Sequence, residues 1–354
     1  MISRRQFNRW LATGLLAAGL PHTGKTATKT PQQLRVAAIQ MTPRLGNVGA
    51  NLEQAEQLIL EARNKGAEWI SLPEMFTSAA AFHPNMLEAI RDIDGEPARF
   101  MKRLARQENC VIGGSFLAQR KGQVYNSFVL TFPDGGTQRH DKDYPTYWEN
   151  CICRGGEDNG ILQTPIGEVG AALCWEFIRS QTATRMLGRV KLIIGGSCWW
   201  TLPDETDSAN PLRTTNLHML QEAPVHFARL LGVPVIHGSH AGPFNGFWSP
   251  DLPDVPYDSA YLGEAMVVDA SGRVLARRSA QQGAGVVVAQ IEIPDRPLPS
   301  AAIPPRFWLP DEMPEPWKDA WWRWLKSGPR YYRTVTRPFL RTGQIAEYEP
   351  EYLL

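Results

Sequence analysis

Three residues far apart in the chain carry side chains suited to one reaction: Glu74 in LPEMF, Lys142 in HDKDYPTYWEN and Cys174 in VGAALCWE. A thiol becomes a strong nucleophile once a base takes its proton, and a carboxylate is such a base. An ammonium stabilises the negative oxygen that forms when a carbonyl carbon is attacked. Taken singly, each has a plainer role: free cysteine is commonly a small buried hydrophobe, Glu74 could be a charge at a helix start, and Lys142 a solvated loop lysine. What sets them apart is that each follows a segment that reads as a strand. Residues 169–173 are small and apolar, so the thiol sits where a rigid strand enters a turn, with the next backbone N–H groups aimed at whatever it attacks.

The carboxyl ends of strands in an α/β sheet share one rim, which is how side chains distant in sequence can meet. The segments 34–41, 68–72, 110–116, 124–131, 137–141, 169–173, 191–195 and 233–237 read as strands, and PDGG before residue 137 as a hairpin turn. Apolar residues recur at helical spacing in 51–65, 97–107, 181–187 and 217–231, and strands near 265–269, 273–276 and 285–293 close the body. Strands and helices alternate with no Pro- or Gly-rich linker, which predicts one α/β domain over 31–293, two sheets covered by helices. From 294 the composition changes. Many prolines and the run PWKDAWWRWLKSG mark an extension, 294–354, whose aromatics are expected to pack on the body or on a second subunit.

Hydrophobic residues at 43% and charged residues at 21% exclude both a disordered chain and a membrane-embedded one. The first 30 residues differ from the rest: SRRQF precedes an uncharged stretch, 10–20, and no acidic residue occurs before Glu53. This segment resembles a twin-arginine export signal, which implies delivery of a folded protein to the periplasm and no stable membrane span once the signal is removed. Residues 1–30 hold five of the 37 basic residues and none of the 36 acidic ones, so the remainder carries 32 against 36, a formal charge of −4. That balance gives no footing for nucleic acid. The five cysteines, at 110, 151, 153, 174 and 198, have neither the spacing of a disulfide framework nor partners for a metal site.

The order LPE, HDKDYP with a second carboxylate at Glu149, and then LCWE closely resembles the nitrilase superfamily of carbon–nitrogen hydrolases. The likeness runs over about 34–293 and includes GGSCWW at 195–200 and YLGEAMVVDASGRVLA at 261–276. It implies a four-layer α-β-β-α sandwich, commonly paired into dimers, acting without metal or cofactor on a small amide or nitrile. By resemblance Cys174 is the nucleophile, Glu74 the general base, Lys142 the oxyanion-stabilising cation and Glu149 a supporting fourth residue. Two carboxylates flanking one ammonium would keep it charged despite burial. Trp175, Trp199 and Cys198 are expected at the substrate pocket, the tryptophans as an aromatic wall or as core packing. After Cys174 the family often carries an arginine and Phe-Pro-Glu, whereas FIRSQTA follows here, with Arg179 the nearest basic group and a candidate for a substrate carboxylate. The leading expectation is hydrolysis of a small amide through a thioester. The alternatives are a nitrilase working through a thioimidate and an exported binding protein without turnover.

Overall fold

Side chains alternate from face to face along a strand, and here the alternation sorts the strands into layers. In β1 (Gln32–Met41), Val36 and Ala38 enter one apolar cluster, while Ala37, Ile39 and Met41 enter another. The computed structural model describes residues 32–201, 211–311 and 313–348. The twin-arginine-like segment lies outside them.

The first half of the body runs β1, α1 (Val48–Asn64), β2 (Trp69–Ser71), the two-residue β3 (Arg91–Asp92), α2 (Glu96–Gln107), β4 (Val111–Arg120), β5 (Gln123–Thr131) and β6 (Thr137–Asp141). The second half runs β7 (Ile161–Thr164), β8 (Gly167–Leu173), α3 (Ser180–Met186), β9 (Ile193–Ser197), α4 (Pro211–Leu231), β10 (Val235–Ser249), β11 (Leu252–Val268), β12 (Val274–Ser279) and β13 (Gly285–Ile293). The strand order is β6-β5-β4-β2-β1 followed by β10-β9-β8-β7. Along this order the halves join where β1 and β10 touch in parallel, Gln40 opposite Ser239 and Met41 opposite His240. β13 runs antiparallel along β1 from Gln32–Ile293 to Gln40–Gly285, so the end of the body closes on its beginning.

Three apolar clusters lie between four layers. Helices α1 and α2 cover Ile39, Ile70 and Ile112 on one outer face. Val36, Val111, Val169, Leu173, Ile194 and Ile236 fill the space between the two sheets. Helices α3 and α4 cover Ala172, Ile193, Val235 and Val268 on the other outer face. This is the expected α-β-β-α sandwich. The sheets approach closely near the strand ends: Ser71 Oγ donates to Gly195 O at 2.6 Å across the interface. A Cβ at Gly113 would stand 2.5 Å from the Phe128 ring and 3.3 Å from Ile194 on the opposite sheet, so only glycine fits there.

Strand β10 departs most from the sequence expectation. It runs to Ser249 and pairs with β11 in a long antiparallel hairpin instead of ending at His237. Its Gly and Pro content resembles a loop, but among the described strands its distal half pairs with β11 alone, an edge position where proline is tolerated.

The extension folds on the body. Helix α5 (Glu315–Tyr331) buries Trp317, Trp321, Trp324, Gly328 and Tyr331, a one-sided stripe at helical spacing, and leaves Trp322 55% exposed. Gly328 permits the close fit, since a Cβ there would lie 2.4 Å from Cβ of Asn150.

Candidate active site

Each reactive residue is set by the end of a different strand. Cys174 follows β8 with φ at +51°, a left-handed conformation rare outside glycine, and opens a short 3-10 turn, Cys174–Ile178. Such strain, typically about 1–3 kcal/mol, persists only where surrounding bonds over-determine it. The Glu176 carboxylate supplies them. It accepts from Leu173 N at 2.9 Å, pairs with His140 Nε2 at 3.0 Å and accepts from Asp143 N at 3.1 Å. Leu173 adjoins the thiol and Asp143 adjoins Lys142, so one buried carboxylate fixes the nucleophile relative to the cation.

Glu74 lies just beyond β2, where Met75 N donates to Ser115 Oγ at 2.8 Å and Phe76 N to Ser115 O at 2.9 Å, holding the segment along β4. Its carboxylate is fully buried. Oε1 accepts from Asn126 Nδ2 at 2.9 Å and Lys142 Nζ at 2.8 Å, and Oε2 accepts from Cys198 N at 2.9 Å. Lys142 Nζ also donates to Glu149 Oε1 at 2.7 Å. Burial would strip the charge from this ammonium, but Glu149 and Glu74 hold it well above the ordinary lysine value. Burial pushes the Glu149 carboxyl up to about 7, with Lys142 opposing and Glu74 adding to the rise. Burial also pushes the Cys174 thiol well up, reinforced by Glu74, with Lys142 acting against it and Glu149 with it. A hydrogen bond to Glu74 favours the protonated sulfur as well. The resting site therefore holds a neutral thiol against an ion-paired carboxylate.

Cys174 lies on a narrow cavity lined by Thr146, Tyr147, Trp175, Trp199, Trp200, Asn216 and Trp317. Trp175 and Trp199 both line this cavity, and the faces of Trp175 and Trp200 are engaged within the chain. Trp175 stacks on Trp321 with centroids 5.3 Å apart, and Trp200 stacks on Trp148 at 4.7 Å. Thr146 Oγ1 and Trp317 Nε1, on two of the lining residues, are buried with no hydrogen-bond partner among the described residues.

Two expected pocket residues sit elsewhere. The Cys198 side chain is buried beside Tyr261, and its contribution to the site is the backbone N–H that holds Glu74. Arg179 is fully buried, pairs with Asp143 Oδ1 at 2.5 Å and donates from Nε to Trp175 O at 3.1 Å. It is absent from the cavity lining and is committed to a carboxylate of the chain itself, because its turn faces the loop after β6 and not the cavity. Sequence reading missed Asn126, Thr146, Tyr147, Asn216 and Trp317. Only Tyr147, a bulky residue at φ +50°, is unusual in its backbone, and nothing in its sequence neighbourhood announces that.

His237 and His240 are buried and neutral, burial pushing each imidazole down to about 4. His240 pairs with Glu74 O at 2.8 Å and His237 with Ser197 Oγ at 2.7 Å, so both support the rim. His140 is the opposite case. Burial pushes its imidazole down, but Glu176 and Asp158 outweigh that and raise it to about 10. A group bound to its proton more tightly when folded contributes stability that is fully present below its unfolded pKa, near 6.5, and is lost as pH rises through about 10. The other histidines with resolved shifts are lowered and so neutral in both states above 6.5. Between pH 7 and 8.5, His140 should contribute a fall in stability of about 1.4 kcal/mol per pH unit in urea unfolding, on top of falls from Glu149 near pH 7 and from the buried thiols at the upper end, and His140→Asn should lessen the total slope by about that amount. An unchanged slope in the variant would show that His140 is not held protonated.

Comparison with known proteins fits this geometry. The model of the carbon-nitrogen hydrolase family matches residues 35–296. A nitrilase of Pyrococcus abyssi is 30% identical over 157 residues, 42% of this chain and 59% of its own length. The omega-amidase NIT2 of Xenopus tropicalis is 30% identical over 139 residues, 36% of this chain and 49% of its own length. The chain therefore spans about half the length of these curated relatives. A carbon-nitrogen hydrolase from Helicobacter pylori G27 shares the fold at a TM-score of 0.62 and 17% identity, covering 88% of this chain and 95% of its own. The matched residues contain the three strand ends and all four charged or nucleophilic groups that meet on the rim, and the chain belongs to the carbon-nitrogen hydrolase family.

Proposed function

We propose that the protein hydrolyses the carbon–nitrogen bond of a small amide through a thioester on Cys174. The observation that carries this reading is the buried Glu74–Lys142–Glu149 cluster, at 2.8 and 2.7 Å, beside a thiol that lies on a cavity. Because the thiol is held protonated, no thiolate is stored. Proton transfer to Glu74 accompanies attack of sulfur on the amide carbon. As the C–S bond forms, the carbonyl π electrons move to oxygen. Two of the three Lys142 N–H bonds are committed to carboxylates, leaving the third for that oxygen. The Trp175 N–H lies in the first turn of a helix, where no acceptor is available within the helix, and would complete the hole. Collapse breaks the C–N bond, and Glu74 returns its proton to the leaving ammonia. Water then gives a proton to Glu74 as it attacks the thioester, and release of the carboxylic acid restores the thiol.

A nitrilase reading is favoured by the likeness to several nitrilases, that of Pyrococcus abyssi among them. It uses the same groups through a thioimidate, but must also keep the tetrahedral species from collapsing early to amide. Amide cleavage asks only for an acid to protonate the leaving amine, which Glu74 supplies. The test is a side-by-side rate for acetamide and acetonitrile, following acid and ammonia together. Faster use of the amide is expected. A nitrile consumed faster than its amide, yielding acid directly, would replace the amide reading with the nitrilase one.

A further inference from the structure

The family region ends at residue 296, yet one wall of the cavity beside Cys174 comes from beyond it: Trp317 of α5. The Trp317 indole is 2% exposed, and its backbone carbonyl accepts from Tyr147 OH at 3.3 Å. The next turn of the helix is held by Trp321, which stacks on Trp175 and meets Trp308 edge to face at 5.1 Å. With this roof in place, the cavity leaves only about 20 Å³ to the centre of a water-sized sphere, little more than one water needs.

Immediately beside it lies a far larger groove between α5 and the β10–β11 hairpin, about 570 Å³ on the same measure. Tyr147 and Trp200 line both spaces and meet edge to face at 5.7 Å, so a thin aromatic partition separates them. Groove residues include Trp148, Trp248, Leu252, Tyr257 and Trp324, an apolar surface suited to a hydrocarbon chain or ring.

Building on the amide-hydrolase reading of this same site, we propose that Trp317 is a specificity-determining residue that restricts the acyl group to short chains. The roof limits how far the chain extends, and the Tyr147–Trp200 partition keeps it from the groove. Shortening the Trp317 side chain lifts this roof, enlarges the cavity on the side of α5 and admits longer acyl groups.

Two series test this independently. Linear primary amides of two to six carbons report turnover by ammonia release. The matching aldehydes report pocket length without turnover: the Cys174 sulfur adds to the carbonyl carbon, the thiol proton passes to the oxygen, and the hemithioacetal is followed by tryptophan fluorescence. In the unaltered protein, both kcat/KM and aldehyde affinity should fall at least tenfold from three carbons to five. In Trp317→Ala, the fall should disappear and affinity should rise by about fourfold per added methylene, the value of burying one CH₂. Trp317→Leu should lie between, which guards against a failure of the alanine protein to fold, and Trp322→Ala on the exposed face of the same helix should keep the original profile. Aldehydes that discriminate by length while no amide is cleaved would leave the role of Trp317 standing and overturn the amide reading. A chain-length profile that is flat in the unaltered protein, or unchanged in both Trp317 variants, would overturn the role of Trp317, as would failure of every aldehyde to bind.

Discussion

Cys174→Ala protein is expected to fold normally and to lose amide turnover by about 10⁴-fold or more, the scale seen when a covalent nucleophile is removed. The fold should survive because alanine keeps a Cβ at the same φ of +51° and adds no strain beyond what cysteine already bears. The Glu176 bonds that hold the turn involve the backbone of Leu173 and the side chain of His140, and none uses the sulfur. Ammonia release and far-UV circular dichroism on the same sample separate the two effects. Turnover within tenfold of the unaltered protein would remove sulfur from the mechanism.

Lys142→Met should be damaging in two ways that can be pulled apart. Loss of the ammonium removes an oxyanion donor, a contribution of about 10²–10³ in kcat. It also leaves Glu74 and Glu149 buried with no cation between them, and breaking a buried pair on one side typically costs about 3–5 kcal/mol. The pH dependence identifies the second effect. The Glu149 carboxyl already lies at about 7, raised by burial, so its contribution to stability is present below the ordinary carboxylate pKa and lost as pH rises through about 7. Without Lys142 that loss should become larger and extend to higher pH. Adding Glu149→Gln should recover most of the stability in urea unfolding and none of the activity. Recovery of activity in the double variant would mean that Lys142 serves the fold alone.

The reactive rim was readable because the strands that carry it are plain in the sequence. Apolar runs at 34–41 and 169–173 are followed at once by polar groups, and Leu173 ends its strand one residue before the thiol, as the spacing predicts. Other features were hidden for physical reasons. Asn126 is one of several polar residues in a strand, and only the folded register of β5 against β4, with Asn126 opposite Leu117, brings it to Glu74. Arg179 follows the nucleophile closely enough to suggest substrate binding, but a buried guanidinium needs a carboxylate, and Asp143 reaches it first. The tryptophans of the extension marked a packing segment without saying which part of the body it covers. Their packing depends on Gly328 meeting Asn150 and on Trp321 meeting Trp175, contacts between segments more than 140 residues apart.

The central claim is that an acyl group resides on Cys174 between loss of the amine and entry of water, and partitioning with hydroxylamine tests it most directly. Hydroxylamine competes with water for a thioester, so the ratio of hydroxamate to acid depends on the intermediate alone. A primary amide, its N-methyl amide and the methyl ester of the same acid share an acyl group and differ in leaving group. One hydroxamate-to-acid ratio is expected for all three at fixed hydroxylamine concentration, however different their rates. A ratio that changes with the leaving group, or acid formed with no hydroxamate at all, would contradict a thioester on Cys174.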